Sequence, residues 1–276
     1  MKHAILSFLL LLGLSVFAQN SGEELYRAKK YKESAAAFKS ELEQTPDDYK
    51  LQLGYANALH KQEFFSKAVE QYNIAEKLNN SDPELYFDRG VALVFLNLHK
   101  KALKDFDQSL KLNENNPEAH YYKGFCNYEL SRYRASIESY NEAVELRPDY
   151  AAAIYNIGAV KAELQNFEGG TEDFELALSK DPELKNGRMN IALSKLAQNK
   201  FEESIKDFDM IIDSRDENLD KAYLYRGEAY YELKNKVKAC SDWAKVANLD
   251  NEKATSNIKD FCGSKTKPRK KIDIAF

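Results

Sequence analysis

The sequence predicts an all-α solenoid of about seven repeats, each built from two helices. Small residues recur every 34 positions, and a second series of small residues follows twelve positions after the first. An aromatic residue stands four positions beyond each member of the second series. The chain has only 11 glycines and 6 prolines in 276 residues, whereas Leu, Ala, Glu and Lys are abundant, which favours helices over strands.

The N-terminal segment, residues 1–18, has the pattern of a secretory signal peptide. Lys2 precedes an apolar run over residues 4–12, and Val16 and Ala18 suit cleavage after Ala18. An uncleaved anchor is the alternative, but the run is shorter than the roughly 20 residues that span a bilayer. No cysteine lies near Ala18 to accept a lipid. We therefore expect an exported protein with no transmembrane segment after cleavage, most simply periplasmic and otherwise secreted or associated with the outer membrane.

The charge balance argues against a nucleic-acid partner. Without residues 1–18 the chain carries 39 basic and 44 acidic side chains, so it is slightly acidic overall. Proteins that bind the phosphate backbone usually carry a basic excess instead.

Three series of residues define the repeat. The first series of small residues is Gly22, Ala56, Gly90, Gly124, Gly158, Ala192 and, after one inserted residue near Leu219, Gly227. The second series is Ser34, Ala68, Ala102, Ser136, Gly170, Ser204 and Ala239, and its aromatic partners are Phe38, Tyr72, Phe106, Tyr140, Phe174, Phe208 and Trp243. A third series, expected to start each second helix, is Tyr31, Phe65, His99, Tyr133, Phe167 and Phe201. Residues four apart share a helix face, so two helices should meet at the small residues while the aromatic residue fills the space between repeats.

Prolines mark the repeat boundaries independently, because proline suits only the first turn of a helix or the residues after its end. These prolines are Pro46, Pro83, Pro117, Pro148 and Pro182. The predicted organisation is a truncated first repeat, 19–48, followed by repeats at 49–82, 83–116, 117–150, 151–184, 185–219 and 220–250.

Both ends of the array carry signals of their own. Ser21 and Glu24 form a potential capping box that starts a helix in the truncated repeat. A capping helix is predicted over 251–262, and the remaining residues, 263–276, are predicted to form a basic flexible tail. That tail either contacts an anionic membrane surface, a polymer or a partner, or it is a solubilising extension.

These spacings resemble those of the tetratricopeptide repeat (TPR), a helix–turn–helix unit of 34 residues, over about residues 21–250. The fourth repeat gives the fullest match, with His120, Tyr121, Tyr122, Lys123, Gly124, Tyr133, Ser136, Tyr140, Ala143 and Pro148. The resemblance implies a right-handed superhelical solenoid whose first helices line a concave groove.

The resemblance also implies which side chains line that groove. The partner-binding positions carried over from the family are Leu53, Asn57, Phe87, Val91, Tyr121, Phe125, Tyr128, Tyr155, Met189, Leu193, Leu224, Glu228 and Tyr231. Such an apolar groove with acidic edges suits an extended or helical peptide with apolar anchors and some positive charge. The alternative for any one of these residues is packing between neighbouring first helices.

The sequence contains no pattern typical of catalytic, cofactor or metal sites. Its histidines, at positions 3, 60, 99 and 120, are scattered, and Gly169-Gly170 falls where the repeat requires a small residue. Cys240 and Cys262 are candidates for a disulfide between the last repeat and the capping helix, with two separately buried thiols as the alternative, and Cys126 is left unpaired.

Two functions follow from this interpretation. The first is a non-catalytic scaffold of the bacterial cell envelope that binds a partner protein or peptide in its groove. The alternative is a periplasmic, chaperone-like accessory that handles unfolded or lipid-bearing cargo.

Overall fold

A computed structural model of the chain describes residues 21–214, 218–247, 251–263 and 274. The predicted signal peptide and most of the predicted tail lie outside these residues. Every regular element in the described ranges is helical, which confirms the all-α helical-repeat prediction. The chain forms two compact units, Met1–Leu98 and His99–Phe276, and each is described by itself.

Unit 1 contains five helices that follow the predicted repeats. They are α1 (Gly22–Arg27), α2 (Tyr31–Gln44), α3 (Tyr49–Lys61), α4 (Phe65–Leu78) and α5 (Pro83–Phe95). The short α1 begins with the predicted capping box: the Glu24 backbone N–H donates to Oγ of Ser21, and the Ser21 backbone N–H donates to the Glu24 carboxylate, each at 3.2 Å. Two backbone donors that α1 cannot satisfy internally are thereby paired.

Unit 2 continues the same alternation of first and second helices. Its helices are α6 (His99–Leu112), α7 (Pro117–Glu129), α8 (Tyr133–Leu146), α9 (Ala151–Glu163), α10 (Phe167–Lys180), α11 (Gly187–Ala197), α12 (Phe201–Ser214), α13 (Leu219–Glu232), α14 (Lys236–Ala247) and α15 (Glu252–Asn257). A π-helical turn, Ile258–Cys262, follows α15 directly. None of the helices in the described part of the chain combines the length and the apolar character needed to cross a bilayer.

The two series of small residues meet where the helices of one repeat cross. In unit 1 the hydroxyl of Ser34 donates a hydrogen bond of 2.7 Å to the carbonyl oxygen of Gly22. In unit 2 Ser136 makes the equivalent bond of 2.8 Å to Gly124. The predicted aromatic partners, Phe38, Tyr72, Phe106, Tyr140, Phe174, Phe208 and Trp243, are all at most 5% exposed. The series therefore form the core, as predicted.

A residue with left-handed backbone follows the first helix of each repeat. In the first repeat the Lys30 N–H donates to the Leu25 carbonyl and the Lys29 N–H to the Tyr26 carbonyl, each at 2.9 Å. This pair of bonds is the Schellman motif, which satisfies the last carbonyls of a helix. The residues that take this conformation, with φ between 56° and 63°, are Lys29, Glu63, Asn97, Ser131, Gln165, Asn199 and Lys234. None of them is glycine, so the sequence pattern did not reveal the motif.

The C-terminal end of unit 2 is closed by α15 and the π-helical turn. Asn251 caps α15 by accepting a 2.9 Å hydrogen bond from the Ala254 N–H. Ala254 and Phe261 are buried in one core with Trp243. Ile274, within the predicted tail, is partly buried against this core as well.

The predicted cysteine pair is placed for a disulfide. Cys240 lies on α14 and Cys262 ends the π-helical turn, with their Cα atoms 5.9 Å apart and their sulfurs at bonding distance. Cys126, on α7, is a buried free thiol.

Candidate functional site

Four aromatic side chains on the first helices of unit 2 are partly exposed, and together we call them the aromatic surface. Tyr121, Phe125 and Tyr128 share one face of α7, because they are spaced four and three residues apart, and Tyr155 lies on α9. Each is partly buried and partly accessible, and the three on α7 pack against the core around Tyr140. All four were among the predicted groove residues.

Asparagine side chains from the following first helix hold two of these rings. Nδ2 of Asn156 donates a hydrogen bond of 3.2 Å to the hydroxyl of Tyr121, and Nδ2 of Asn190 donates one of 2.7 Å to the hydroxyl of Tyr155. The Tyr121 ring also stacks on Tyr150, with ring centroids 5.2 Å apart. Rings restrained in this way lose little entropy when a partner binds.

The edges of the aromatic surface are acidic. Glu129 and Glu163 are exposed, and their charges act on the phenol of Tyr128. Burial, and then the charge of Glu163, raise the pKa of Tyr128 above its ordinary value, so the ring is a neutral phenol at physiological pH. An apolar surface with carboxylates beside it favours a ligand with apolar anchors and basic neighbours.

Five predicted groove residues are buried, and the prediction that a partner contacts them is corrected. They are Val91, Met189, Leu193, Leu224 and Glu228, each at most 8% exposed. Met189, Leu193 and Leu224 belong to the core that contains Trp243.

The C-terminal end of the unit covers Glu228 and partly covers Tyr231. Nδ2 of Asn257, on α15, donates a 2.8 Å hydrogen bond to the Glu228 carboxylate. The Tyr231 ring packs against Phe261 at 5.0 Å and against Trp243 at 5.7 Å between centroids. At these two positions the capping segment occupies the surface that was assigned to a partner.

Unit 1 contains a cavity of 390 Å³, which we call the N-terminal cavity. Among its lining residues are Tyr26, Phe38, Tyr49, Leu53, Asn57 and Asp82. Leu53 and Asn57 were predicted groove residues. The cavity itself was not predicted, because it depends on how the truncated first repeat packs against the second. Phe87, also a predicted groove residue, is partly exposed on α5.

Polar side chains around this cavity form a defined network. The hydroxyl of Tyr49 donates a 2.7 Å hydrogen bond to Oδ2 of Asp82, and the hydroxyl of Tyr72 donates one of 2.6 Å to Oδ1 of Asn57. Nδ1 of His60 lies 3.3 Å from the same Tyr72 hydroxyl. Burial lowers the pKa of His60 to about 4, so this imidazole is neutral at physiological pH.

Negative charge accumulates beside the cavity. Asp88, on α5, has a carboxylate pKa raised to about 7, first by burial and then by the negative charges of Glu84 and Asp82. Burial raises the pKa of Tyr26 to about 12, and the negative charge of Asp88 contributes a smaller part of the rise. Lys61 opposes the rise at Asp88 without cancelling it.

The histidines and paired glycines of unit 2 have packing or ionic contacts. His99 packs edge-on against Phe125 at 5.9 Å, and Nδ1 of His120 lies 2.8 Å from the Glu142 carboxylate. Gly170 lies against Gly158, where an added Cβ would approach the Gly158 carbonyl oxygen to 3.0 Å. Within the described ranges, no three side chains of the His, Cys, Asp or Glu types come together as a metal site.

The repeat geometry defines a helical-repeat protein, and its first helices carry the candidate binding surfaces. The sequence profile described as "Tetratricopeptide repeat" matches residues 20–83 and 189–251, a second profile of the same description matches 83–116, and one described as "TPR repeat" matches 127–165. The chain belongs to the tetratricopeptide repeat family. Proteins of this family bind protein or peptide partners and are generally non-catalytic scaffolds. No curated protein matches the chain significantly in sequence.

Solved structures support the fold. The C-terminal part of a TPR repeat-containing protein from Cytophaga hutchinsonii is 16% identical, with a TM-score of 0.73 over 86% of this chain and 98% of that one. A tetratricopeptide repeat protein from Parabacteroides merdae is 17% identical, with a TM-score of 0.61 over 86% and 94%. YrrB, described as a TPR protein with an unusual peptide-binding site, is 19% identical, with a TM-score of 0.50 over 82% and 99%. At these identities the likeness shows the fold alone.

Proposed function

We propose that this protein is a non-catalytic scaffold that binds a peptide segment of a partner protein on the aromatic surface of unit 2. The proposal rests on one observation: part of each aromatic side chain on these first helices remains exposed. The four side chains are Tyr121, Phe125, Tyr128 and Tyr155. Large rings restrained before binding supply contact area at low entropic cost, which is why aromatic residues anchor many interfaces.

The chemistry of the surface selects the ligand class. Glu129 and Glu163 flank the rings, so the preferred peptide carries aliphatic or aromatic anchors with a lysine or arginine next to them. The peptide binding described for YrrB is consistent with such a role on the same fold, although the site of this chain is argued from its own residues.

We also propose that the protein works in the cell envelope, in the periplasm. The signal-peptide pattern of residues 1–18 supports export, and a disulfide between Cys240 and Cys262 would suit an oxidising compartment. N-terminal sequencing of the protein from fractionated cells tests this. A chain that begins at Gln19 in the periplasmic fraction is expected, whereas a full-length chain in the cytoplasmic fraction would contradict export.

Selection from a random peptide display library, followed by calorimetry, tests the binding proposal. Peptides that bind the full chain are expected to be rich in apolar and basic residues. Replacing both Phe125→Ala and Tyr128→Ala should weaken a selected peptide by at least about tenfold, since truncating an anchor costs more than about 1 kcal/mol. Val237→Ala is the matched control, because Val237 is an 82% exposed apolar residue on a second helix of the same unit.

Two outcomes would count against the proposal. Equal weakening by the control substitution would mean that binding does not use the aromatic surface. Competition by unrelated unfolded polypeptides with the same potency as the selected peptide would indicate promiscuous, chaperone-like binding and not a scaffold for one partner. Circular dichroism of each variant establishes that it is folded before the affinities are compared.

A further inference from the structure

The N-terminal cavity lies in unit 1, whereas the aromatic surface belongs entirely to unit 2. Its volume of 390 Å³ falls within the range of about 300–1,000 Å³ that is common for ligand sites. Phe38 and Leu53 contribute apolar wall, and Tyr26 and Tyr49 contribute aromatic rings. Such walls accommodate the aliphatic stem of a long side chain.

The charged groups that line the cavity are mostly acidic. Glu23, Glu41 and Asp82 face a single cation, Lys50, and Glu23 already pairs with Arg27 on its own helix. Glu41 and Asp82 are partly buried and fixed: the Gly22 N–H donates to the Glu41 carboxylate at 2.9 Å, and Tyr49 holds Asp82 at 2.7 Å. Each bond satisfies only part of the acceptor capacity of a carboxylate, so both groups can accept further hydrogen bonds from a cation.

Asp88, on α5, adds to this negative field when it is ionised, and its pKa of about 7 leaves it partly ionised at neutral pH. It is partly buried, and Lys61 is the cation whose charge acts on it. Its charge reaches the phenols of both Tyr26 and Tyr49, which line the cavity. The walls therefore combine apolar stem contacts, ring faces for a cation–π contact, and carboxylates.

We propose that the N-terminal cavity binds a lysine or arginine side chain of the partner peptide, with its stem against Phe38 and Leu53 and its charged head towards Asp82 and Glu41. The inference rests on the proposed function, because it assumes a peptide ligand, and it concerns a charge-selective site of unit 1 taken by itself. Charge complementarity identifies the occupant: an anionic side chain would meet three carboxylates, and an apolar one would desolvate them without supplying an opposite charge.

Nuclear magnetic resonance titration of the full chain with three short probes tests this. The probes are acetyl-Ala-Lys-Ala-amide and the same tripeptide with norleucine or glutamate in place of lysine. The lysine peptide is expected to shift the backbone signals of Leu53, Gly54 and Asn57. It should bind about tenfold more tightly than the norleucine peptide, and this advantage should shrink as salt is added.

Two variants move the affinity in opposite directions, which separates charge recognition from misfolding. Asp82→Asn keeps a good helix cap but removes a charge, so it should weaken the lysine peptide. Lys50→Ala removes the competing cation and should strengthen it. Neither substitution should change the shifts, if any, caused by the norleucine peptide.

Equal shifts from the lysine and norleucine peptides would mean an apolar occupant and would overturn the proposal. The absence of any shift at the cavity would also overturn the proposal. It would mean that the cavity binds no ligand or is filled by other residues of this chain. Both results leave the aromatic surface untouched, because that surface is tested by substitutions in unit 2. The effect of those unit 2 substitutions on the selected peptides tests the proposed function alone.

Discussion

Nδ2 of Asn190 donates a 2.7 Å hydrogen bond to the hydroxyl of Tyr155, which lies one first helix earlier in the chain. Asn156 makes the corresponding bond to Tyr121, so the same contact recurs in consecutive repeats. A polar residue of one first helix therefore fixes the orientation of an aromatic residue on the preceding first helix. This arrangement couples the stability of the repeats to the shape of the aromatic surface.

Asn190→Ala should release the Tyr155 ring. We expect a loss of about 1 kcal/mol in the free energy of unfolding, since one net hydrogen bond of this kind is removed. Urea unfolding followed by circular dichroism measures it. In Tyr155→Phe the hydroxyl is absent, so adding Asn190→Ala to that variant should cost much less, and an equal cost in both backgrounds would show that the two residues are not coupled.

Gly54→Ala should destabilise unit 1 although alanine favours helices. An added Cβ at Gly54 would lie 2.4 Å from Cζ of Phe38, which is itself packed between Gly54 and Gly22. Overpacking of this kind costs about 1–3 kcal/mol, which outweighs a gain in helix propensity of up to about 1 kcal/mol. Thermal unfolding checks the prediction.

Two further variants sharpen this test. Gly263→Ala is the matched control, because an added Cβ there meets no atom within 4 Å, and its stability should be unchanged. Combining Gly54→Ala with Phe38→Leu should recover part of the loss by removing the clashing ring atoms. A Gly54→Ala variant more stable than the unsubstituted protein would contradict the packing of Phe38.

Asp88 should make unit 1 less stable as the pH rises. Its pKa in the folded chain is about 7, against an ordinary value of 3.8, so folding favours the protonated acid. The stabilisation is complete below about pH 4 and is lost as the pH rises through 7. The neighbouring groups that interact with Asp88 through charge or a hydrogen bond are Tyr26, Tyr49, His60, Lys61, Tyr72, Asp82 and Glu84.

The stability contribution of His60 changes with pH in the opposite direction to that of Asp88. Comparing the unsubstituted protein with Asp88→Asn therefore isolates the effect of the Asp88 carboxylate. Because the pKa of His60 is lowered from 6.5 to about 4, its contribution is present above about pH 6.5 and falls as the pH drops towards 4. This contribution cancels when the two proteins are compared at each pH. Chemical unfolding should show that the stability advantage of Asp88→Asn increases between pH 5 and pH 8, and a constant difference would contradict the raised pKa.

The free thiol of Cys126 should be unreactive in the native protein. Cys126 is buried, and burial raises the pKa of its thiol to about 12, so it should not react with a thiol reagent until the chain unfolds. Unfolding without reductant should expose one thiol for each chain. Three exposed thiols under these conditions would show that Cys240 and Cys262 are not bridged. If they are bridged, Cys262→Ser should lower stability by about 3 kcal/mol, because the loop closed by the pair spans 22 residues.

The core was predictable because its signal is periodic and its residue types are narrow. Phe38 through Trp243 recur in fixed register with small residues, and pairing the two helices of each repeat buries all of them. The left-handed residues Lys29 and Glu63 recur with the same period, yet their types vary because the backbone hydrogen bonds, and not the side chains, define that turn. A sequence pattern based on residue type therefore cannot detect them.

The site was predictable only in part, because exposure depends on what lies beside a residue. Tyr128 and Glu228 both occupy predicted groove positions on first helices, but α15 contacts the buried Glu228, whereas Tyr128 is partly exposed. The N-terminal cavity lies where α1, α2 and α3 meet, and Tyr26 and Tyr49 line it. Neither outcome follows from the repeat period alone.

Site-specific photo-cross-linking tests the central claim most directly. With p-benzoylphenylalanine in place of Tyr128, a peptide selected by the full chain should become covalently attached upon irradiation, and excess unlabelled peptide should abolish the product. With the same photoreactive residue in place of Val237, no attachment is expected. Attachment at position 237 and none at position 128 would place the partner on the second helices and contradict a binding role for the aromatic surface.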